Sequence, residues 1–259
     1  MPNYKGELKS VDVLDHGFVV LHNIAGPTRR IYSEYSDIIK DDNGFPVGIE
    51  RDYDADDVDP AQCARMSFSQ MGSERTYEED MKLNEYLLKN EHTSPFEMIQ
   101  VWIEVKVPIF IDRHMVRHRT WRRNESSGRY ITLPADWYIP EIVGGKAPDK
   151  KQGQEDNLSS ETQVNFKHSL ELHCRQGYDC YKEAISLGVA PEHARMFLSV
   201  NHYVHWIGNV DLANLFRFLR LRTHSHAQIE AQRYAEAIVT LLRPHLPGLM
   251  DLFDKYVRK

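Results

Sequence analysis

The chain has 259 residues, enough for one sizeable core and for one or two domains. It is 41% hydrophobic and 27% charged with a formal net charge of −6, an ordinary globular composition that argues against nucleic acid as a general partner. No apolar run approaches the ~20 residues that cross a bilayer, and Met1-Pro2-Asn3-Tyr4-Lys5 lacks an apolar signal core. Cys63, Cys174 and Cys180 are an odd number without Cys-x-x-Cys spacing, so neither a disulfide framework nor a zinc ribbon is indicated. A cytoplasmic protein in reducing surroundings, with no membrane partner, is expected.

Residues 8–24 alternate and then run apolar around Asp15-His16-Gly17, which predicts a β-hairpin. From Ser33 to Asp59 the composition turns acidic, with Asp41-Asp42-Asn43-Gly44 as a turn and Asp52 to Asp59 as a charged run. This reads as a surface excursion without an assigned function. Pro60 through Met66 fit a short helix, and Ser67 after it reads as a turn or cap residue. Residues 76–90 carry leucines and Tyr86 at helical spacing. After His92, Ser94-Pro95-Phe96-Glu97 fits a capping box with proline at the first helical position. Such a helix start can seat an anionic ligand or serve as a plain cap.

Val101, Ile103, Val105 and Val107 alternate with polar neighbours, a strand with one buried face. Pro108 then opens a helix on which Arg113, His114 and Arg117 share the C-terminal face. The stretch from Arg113 to Tyr130 holds six arginines and two histidines in eighteen residues, with Glu125 the only acid. Guanidinium groups crowded together repel unless an anion shares the site, and their planar forks match phosphate oxygens two at a time. Asn124, Ser126, Ser127 and Gly128 add directional hydrogen bonding and close backbone approach. A pocket for a small phosphorylated ligand is the simplest inference, held between two rigid elements, since Arg129 to Leu133 reads as the next strand.

Gly144 to Asp156 reads as a polar, mobile surface connection. A long helix is predicted from Ser160 to Leu187, closed by Gly188, and another from Pro191 to Val200 with Arg195 among apolar neighbours. His202 and His205 could share a helix face as metal ligands, although no carboxylate or cysteine completes a set. Asp211 can cap a leucine-rich helix carrying Arg217, Arg220 and Arg222, and Ser225 the last long helix, from His226 to Leu242. Arg222 and His226 therefore flank a helix–helix junction, again receptive to anions. No glycine-rich phosphate loop of the Rossmann or Walker type occurs. From residues alone, the arginine-rich stretch also fits an RNA-binding loop, with Trp121 and Tyr130 beside the arginines, a reading that the acidic balance disfavours.

Arg117-His118-Arg119, followed by Asn124-Glu125-x-Ser127-x-Arg129-Tyr130, resembles the signature of the flavin-dependent thymidylate synthases, the ThyX family. Two further blocks agree in order and spacing, His92-Thr93-Ser94-Pro95-Phe96-Glu97 and Leu221-Arg222-Thr223-His224-Ser225-His226-Ala227-Gln228, and Ala64-Arg65-Met66-Ser67-Phe68 joins them near the front. The likeness runs from about Asp12 to about Leu242. It implies an α+β fold with a central, mainly antiparallel sheet flanked by long helices, as one domain over 1–259. It also implies reductive methylation of dUMP to dTMP, with methylenetetrahydrofolate and NADPH as co-substrates and FAD as cofactor, in a homotetramer with shared sites.

Residue by residue, the resemblance places His114, Arg117, Glu125, Ser126, Ser127, Gly128, Arg129, Arg195 and Arg222 around dUMP. It places Ser67, His92, Ser94, Glu97, Arg117, His118, Arg119, Thr120 and His226 around FAD. Arg222 is the expected activator of the base and no metal is expected. This chain departs from the family pattern at four places: Arg122 stands for a usual serine, His114 for a glutamine, Met98 for a histidine, and Asp211-Leu212-Ala213 with Arg217 for the late flavin segment. Making C5 of a uracil nucleophilic takes either a covalent cysteine or hydride delivery. None of the three cysteines lies in the matched blocks, which is consistent with the hydride route.

Overall fold

The computed structural model describes residues 9–27, 38–40, 46–49, 55–70, 75–147, 154–155 and 158–258. Along the chain run strands β1 (Lys9–Val13), β2 (Gly17–Ala25), β3 (Ile38–Lys40) and β4 (Pro46–Ile49), then helices α1 (Asp59–Arg65) and α2 (Tyr77–Lys89). Next come β5 (Gln100–Pro108), α3 (Ile109–Met115), β6 (Arg122–Glu125), β7 (Gly145–Lys146) and β8 (Gln154–Glu155). The chain continues through α4 (Ser160–Ser186), α5 (Pro191–Ala194), β9 (Tyr203–Asp211), α6 (Leu212–Arg222), α7 (Ile229–Leu242) and α8 (Pro247–Leu252). The result is the expected α+β class. Two compact units form: the first comprises 1–22, 102–209 and 218–241, the second 23–101, 210–217 and 242–259.

The first unit is built on a five-stranded sheet of order β1-β2-β5-β9-β6. The expected hairpin is present, with Val13 opposite Gly17 in an antiparallel β1–β2 pair. Alternation along β5 buries Val101, Ile103, Val105 and Val107 completely, as one face of a strand requires. Pro108 stands as N-cap in extended backbone and Ile109 begins α3. On α7, the buried Ala231, Tyr234, Ala235, Ile238 and Val239 keep the helical period. The Tyr234 hydroxyl donates to the Lys106 carbonyl at 2.7 Å.

Several expectations fail here for local reasons. Residues 122–125 form not a loop but an edge strand, antiparallel to β9 with Arg123 opposite Gly208. Arg129 to Leu133 is a turn, closed by Tyr130 and Ile131 amides donating to the Ser127 carbonyl. Leu133 finds its backbone partners in two tyrosines of α4: its amide donates to Tyr181 Oη and its carbonyl accepts from Tyr178 Oη. His205 lies on strand β9 rather than on a helix with His202, and no metal-ligating cluster occurs among the described residues. The helix at Pro191 lasts one turn before a 3₁₀ turn at Arg195–Phe197. Helix α7 starts at Ile229, so Ser225 does not cap it. Gly145–Lys146 pairs with Gln154–Glu155, and the rest of the supposed connection lies largely outside the described residues.

In the second unit, Thr76 and Glu79 form a reciprocal capping box at the start of α2. The acidic run is not wholly a surface feature. Asp57 is buried and accepts from Tyr77 Oη at 2.9 Å and from the Gly248 and Leu249 amides at 2.8 Å each, capping α8 from a distance in sequence. Partial burial and then the Asp57 carboxylate push the Tyr77 phenol up to about 12. Arg65 pairs with the buried Asp80 at 2.5 Å, and Gln62 donates to the same carboxylate. The turn expected at Asp41-Asp42-Asn43-Gly44 lies outside the described residues. At the Ser94 block there is no side-chain cap; Pro95 is the N-cap of a 3₁₀ turn, Phe96–Met98, whose first amide donates to the Thr93 carbonyl.

Candidate active site

The nucleotide set expected from sequence lies wholly within the first unit, as do Arg117, His118, Arg119, Thr120 and His226 of the flavin set. Ser67, His92, Ser94 and Glu97 belong to the second.

In the first unit, α6 presents Arg222 in its last turn, half-buried. Its Nη2 donates to the His114 carbonyl at 3.3 Å and approaches His118 Nε2 at 3.4 Å. Its Nε is buried with no hydrogen-bond partner among the described residues. Burial and the Arg222 charge push His118 down to about 4, and the same two causes, in that order, lower His114. Both imidazoles are therefore neutral at pH 7, so Arg222 remains the cation of this corner. His118 packs edge-on against Phe218 of α6, ring centroids 5.0 Å apart.

A second group forms where the turn after β6 meets the segment after α4. Ser126 donates through its amide and its Oγ to the His205 carbonyl, 2.9 Å each, which pins the chain as it leaves the sheet. Ser127 Oγ accepts from the Arg129 amide at 3.3 Å. Gly128 is buried, and a Cβ there would stand 2.8 Å from Leu133 Cδ1 and 3.5 Å from Arg195 Cδ. Hence the turn carrying Arg129 and the segment carrying Arg195 lie against each other. Partial burial and the Asp112 charge raise the Glu125 carboxyl against the opposing pull of Arg123, Arg113 and Arg195, so Glu125 shares this cationic surrounding.

Sequence reasoning missed what braces the stretch. Arg123 Nη2 pairs with Asp112 Oδ1 at 2.8 Å, Trp206 Nε1 donates to the same oxygen at 3.0 Å, and the guanidinium carbon lies 4.1 Å from the indole centroid. An aspartate next to Ile111 on an apolar helix face was the available signal. Arg117, Arg119 and Thr120 are exposed, as are Ser67, Ser94, Glu97 and His226. Glu97 Oε1 accepts from Thr93 Oγ1 at 3.1 Å, His92 meets Tyr86 edge-on at 6.0 Å, and the His226 ring stacks on His224 at 4.9 Å.

The family profile described as "Thymidylate synthase complementing protein" matches residues 51–248. Flavin-dependent thymidylate synthases of Ehrlichia ruminantium are 35% identical over 233 residues, covering 88% of this chain and 78% of theirs. Those of Treponema denticola and Thermus thermophilus are 37% identical over 208 and 216 residues, covering 79% and 83% of this chain and 77% of each relative. The chain belongs to the flavin-dependent thymidylate synthase family. Among solved structures, a UMP/dUMP methylase PolB from Streptomyces cacaoi bound with 5-Br dUMP superposes with a TM-score of 0.75 at 25% identity, covering 96% of this chain and 99% of that one.

For a member of this flavin-dependent thymidylate synthase family, the donor chemistry of the site suits a flavin with a diphosphate bridge. Arg117 and Arg119 are exposed cations whose side chains make no ion pair among the described residues. In the second unit, Met66 and Phe68 flank Ser67 with broad exposure, Phe68 at 77%, which is apolar surface of the kind that packs on a planar ring.

Proposed function

We propose that this chain makes dTMP from dUMP by reductive methylation, with methylenetetrahydrofolate as carbon donor and NADPH as reductant. FAD, when bound, supplies the hydride chemistry; the chain supplies orientation and charge. The observation that carries the reading is the Arg222 guanidinium, held half-buried by the His114 carbonyl beside a neutral His118, with one N–H still unsatisfied. A fixed cation of this kind lowers the cost of negative charge developing on a base carbonyl, because it need not reorganise as the charge appears. Arg222 acts there as the activating group. Arg129 and Arg195 take the phosphate, with Ser127 and Gly128 allowing close backbone approach; Glu125 and Ser126 line the sugar and base, with His114 and Arg117 at the edge. Arg117, His118, Arg119, Thr120 and His226, with Ser67, His92, Ser94 and Glu97, hold the flavin.

Residues 1–259 act as one functional domain, since the profile match contains segments of both units. The enzyme works in the cytoplasm as a homotetramer with shared sites. The broad exposure of Tyr130, at 81%, and of Met196 and Phe197 beside the arginines supports a second copy covering this face. No helix among the described residues is long and apolar enough to cross a membrane. The test is the visible spectrum of the purified protein, followed by turnover. A flavin spectrum bleached by NADPH, with dTMP formed from dUMP only when methylenetetrahydrofolate is present, is expected. A colourless protein that cannot be loaded with FAD overturns the reading. Running UMP alongside dUMP reports the sugar preference.

A further inference from the structure

We propose that Glu192, which lies in none of the matched sequence blocks, is the positioning residue for Arg129: it grips that guanidinium from behind and leaves its outer edge free for the nucleotide phosphate. The proposal rests on the nucleotide site described above.

Arg129 Nε donates to Glu192 Oε2 at 3.0 Å. The two residues are 63 apart in sequence, so this is not a neighbour pair on one helix face. It ties the turn after β6 to the first turn of α5 and works beside a second contact between the same two segments, Gly128 against the Arg195 stem. Glu192 and Arg195 are three apart on that short segment, so one turn of chain delivers both the arginine that shares the phosphate and the acid that steadies the other arginine. The mode of contact matters. A guanidinium offers five N–H donors in a rigid plane, and a carboxylate or phosphate takes them in pairs. Glu192 engages Nε alone, and the Nη groups of Arg129 have no ion-pair partner among the described residues. The guanidinium carbon also lies 5.9 Å from the Tyr130 ring centroid. An exposed arginine free to sample its many rotamers loses that entropy on binding an anion; one already held by Nε has lost part of it beforehand.

The test is a set of steady-state and binding measurements on the FAD-loaded enzyme. Glu192→Ala should raise the KM for dUMP about five-fold, the upper reach of an exposed pair, with kcat within about two-fold of the parent. Binding of deoxyuridine, which lacks the phosphate, should not move. Glu192→Gln keeps an acceptor oxygen and should recover most of the affinity. In an Arg129→Ala background, Glu192→Ala should add nothing, since the acid acts only through that arginine. An unchanged or lowered KM in Glu192→Ala, or an equal loss in the Arg129→Ala background, overturns the role of Glu192 while leaving the nucleotide site intact. An unchanged KM in Arg129→Ala removes the nucleotide site itself, and Glu192 with it.

Discussion

Arg222 Nη2 stands 3.4 Å from His118 Nε2, a guanidinium facing a half-buried imidazole. Burial and this charge together bring His118 from an ordinary 6.5 down to about 4. The expected consequence is a stability that depends on pH with a definite sign. Between about pH 4 and 6.5 the unfolded chain binds a proton at this position that the native state refuses, so stability rises with pH across that window. The contribution is complete above 6.5 and is lost as pH falls toward 4. Urea melts from pH 4 to 7 should show this slope, and His118→Gln should flatten it. In Arg222→Met, the His118 imidazole signals in NMR should titrate at a higher pH than in the parent, with burial keeping them below 6.5.

Removing the cation itself separates chemistry from cofactor retention. Arg222→Ala should lower dTMP formation by at least about 100-fold, the scale of a lost electrostatic group at a developing charge. The protein should still purify yellow, because the flavin-site residues are untouched. Arg222→Lys should not restore turnover, since an ammonium on a flexible stem cannot reproduce a planar fork held by the His114 carbonyl. Turnover near the parent rate in either variant would remove Arg222 from its role.

The brace behind the arginine stretch predicts a stability effect without a direct part in binding. Asp112 accepts from both Arg123 and Trp206, with the two pair side chains only 13% and 12% exposed. Asp112→Ala leaves a guanidinium stacked on an indole with only the half-exposed Glu125 carboxylate, 3.4 Å away, as counter-ion, and should cost about 1–3 kcal/mol in a denaturant melt. Joint replacement by Asp112→Leu and Arg123→Met should cost less than Asp112→Ala alone, because no under-paired guanidinium remains.

Gly177 tests the docking of the segment that carries Arg195. Glycine to alanine within a helix ordinarily stabilises, by about 1 kcal/mol. Here, in the middle of α4, a Cβ would fall 2.6 Å from the Phe197 carbonyl oxygen. That neighbour is backbone and cannot rotate away, so Gly177→Ala should destabilise and should weaken dUMP binding by shifting Arg195. At Gly128 the nearest obstacle is the tip of the Leu133 side chain, 2.8 Å away, which can turn aside. Thermal melts should therefore rank Gly177→Ala below Gly128→Ala.

Much of this was legible along the chain because it is local. The alternation of Val101 to Val107 and the leucine spacing of α6 depend on periods of two and of 3.6 residues, which sequence displays directly. The block from Arg117 to Tyr130 carries residue types so unusual together that the chemistry of an anion site follows from composition. Illegible were features whose partners are distant. Arg122–Glu125 has no apolar alternation and is a strand only because β9 offers it a ladder. Arg129–Leu133 alternates like a strand and is not one, because Tyr178 and Tyr181 take its hydrogen bonds. Asp57 reads as part of an acidic surface run and is buried because α8 needs an acceptor at its first amides.

By itself, then, the sequence determined the fold class, the family and the side chains that are candidates for anion binding, since each follows from residue type and spacing over a few turns of chain. Only the tertiary structure decided which of the arginines are free to meet a ligand. Arg123 is paired with Asp112 and Glu125, though its Nη1 has no partner among the described residues; Arg129 is engaged through Nε and open at its outer edge, and Arg222 Nε is buried without a partner among the described residues. The reason is that a guanidinium's availability depends on which carboxylate, carbonyl or ring folding brings within 3 to 4 Å of it, and those partners lie tens to more than a hundred residues away in most of these cases.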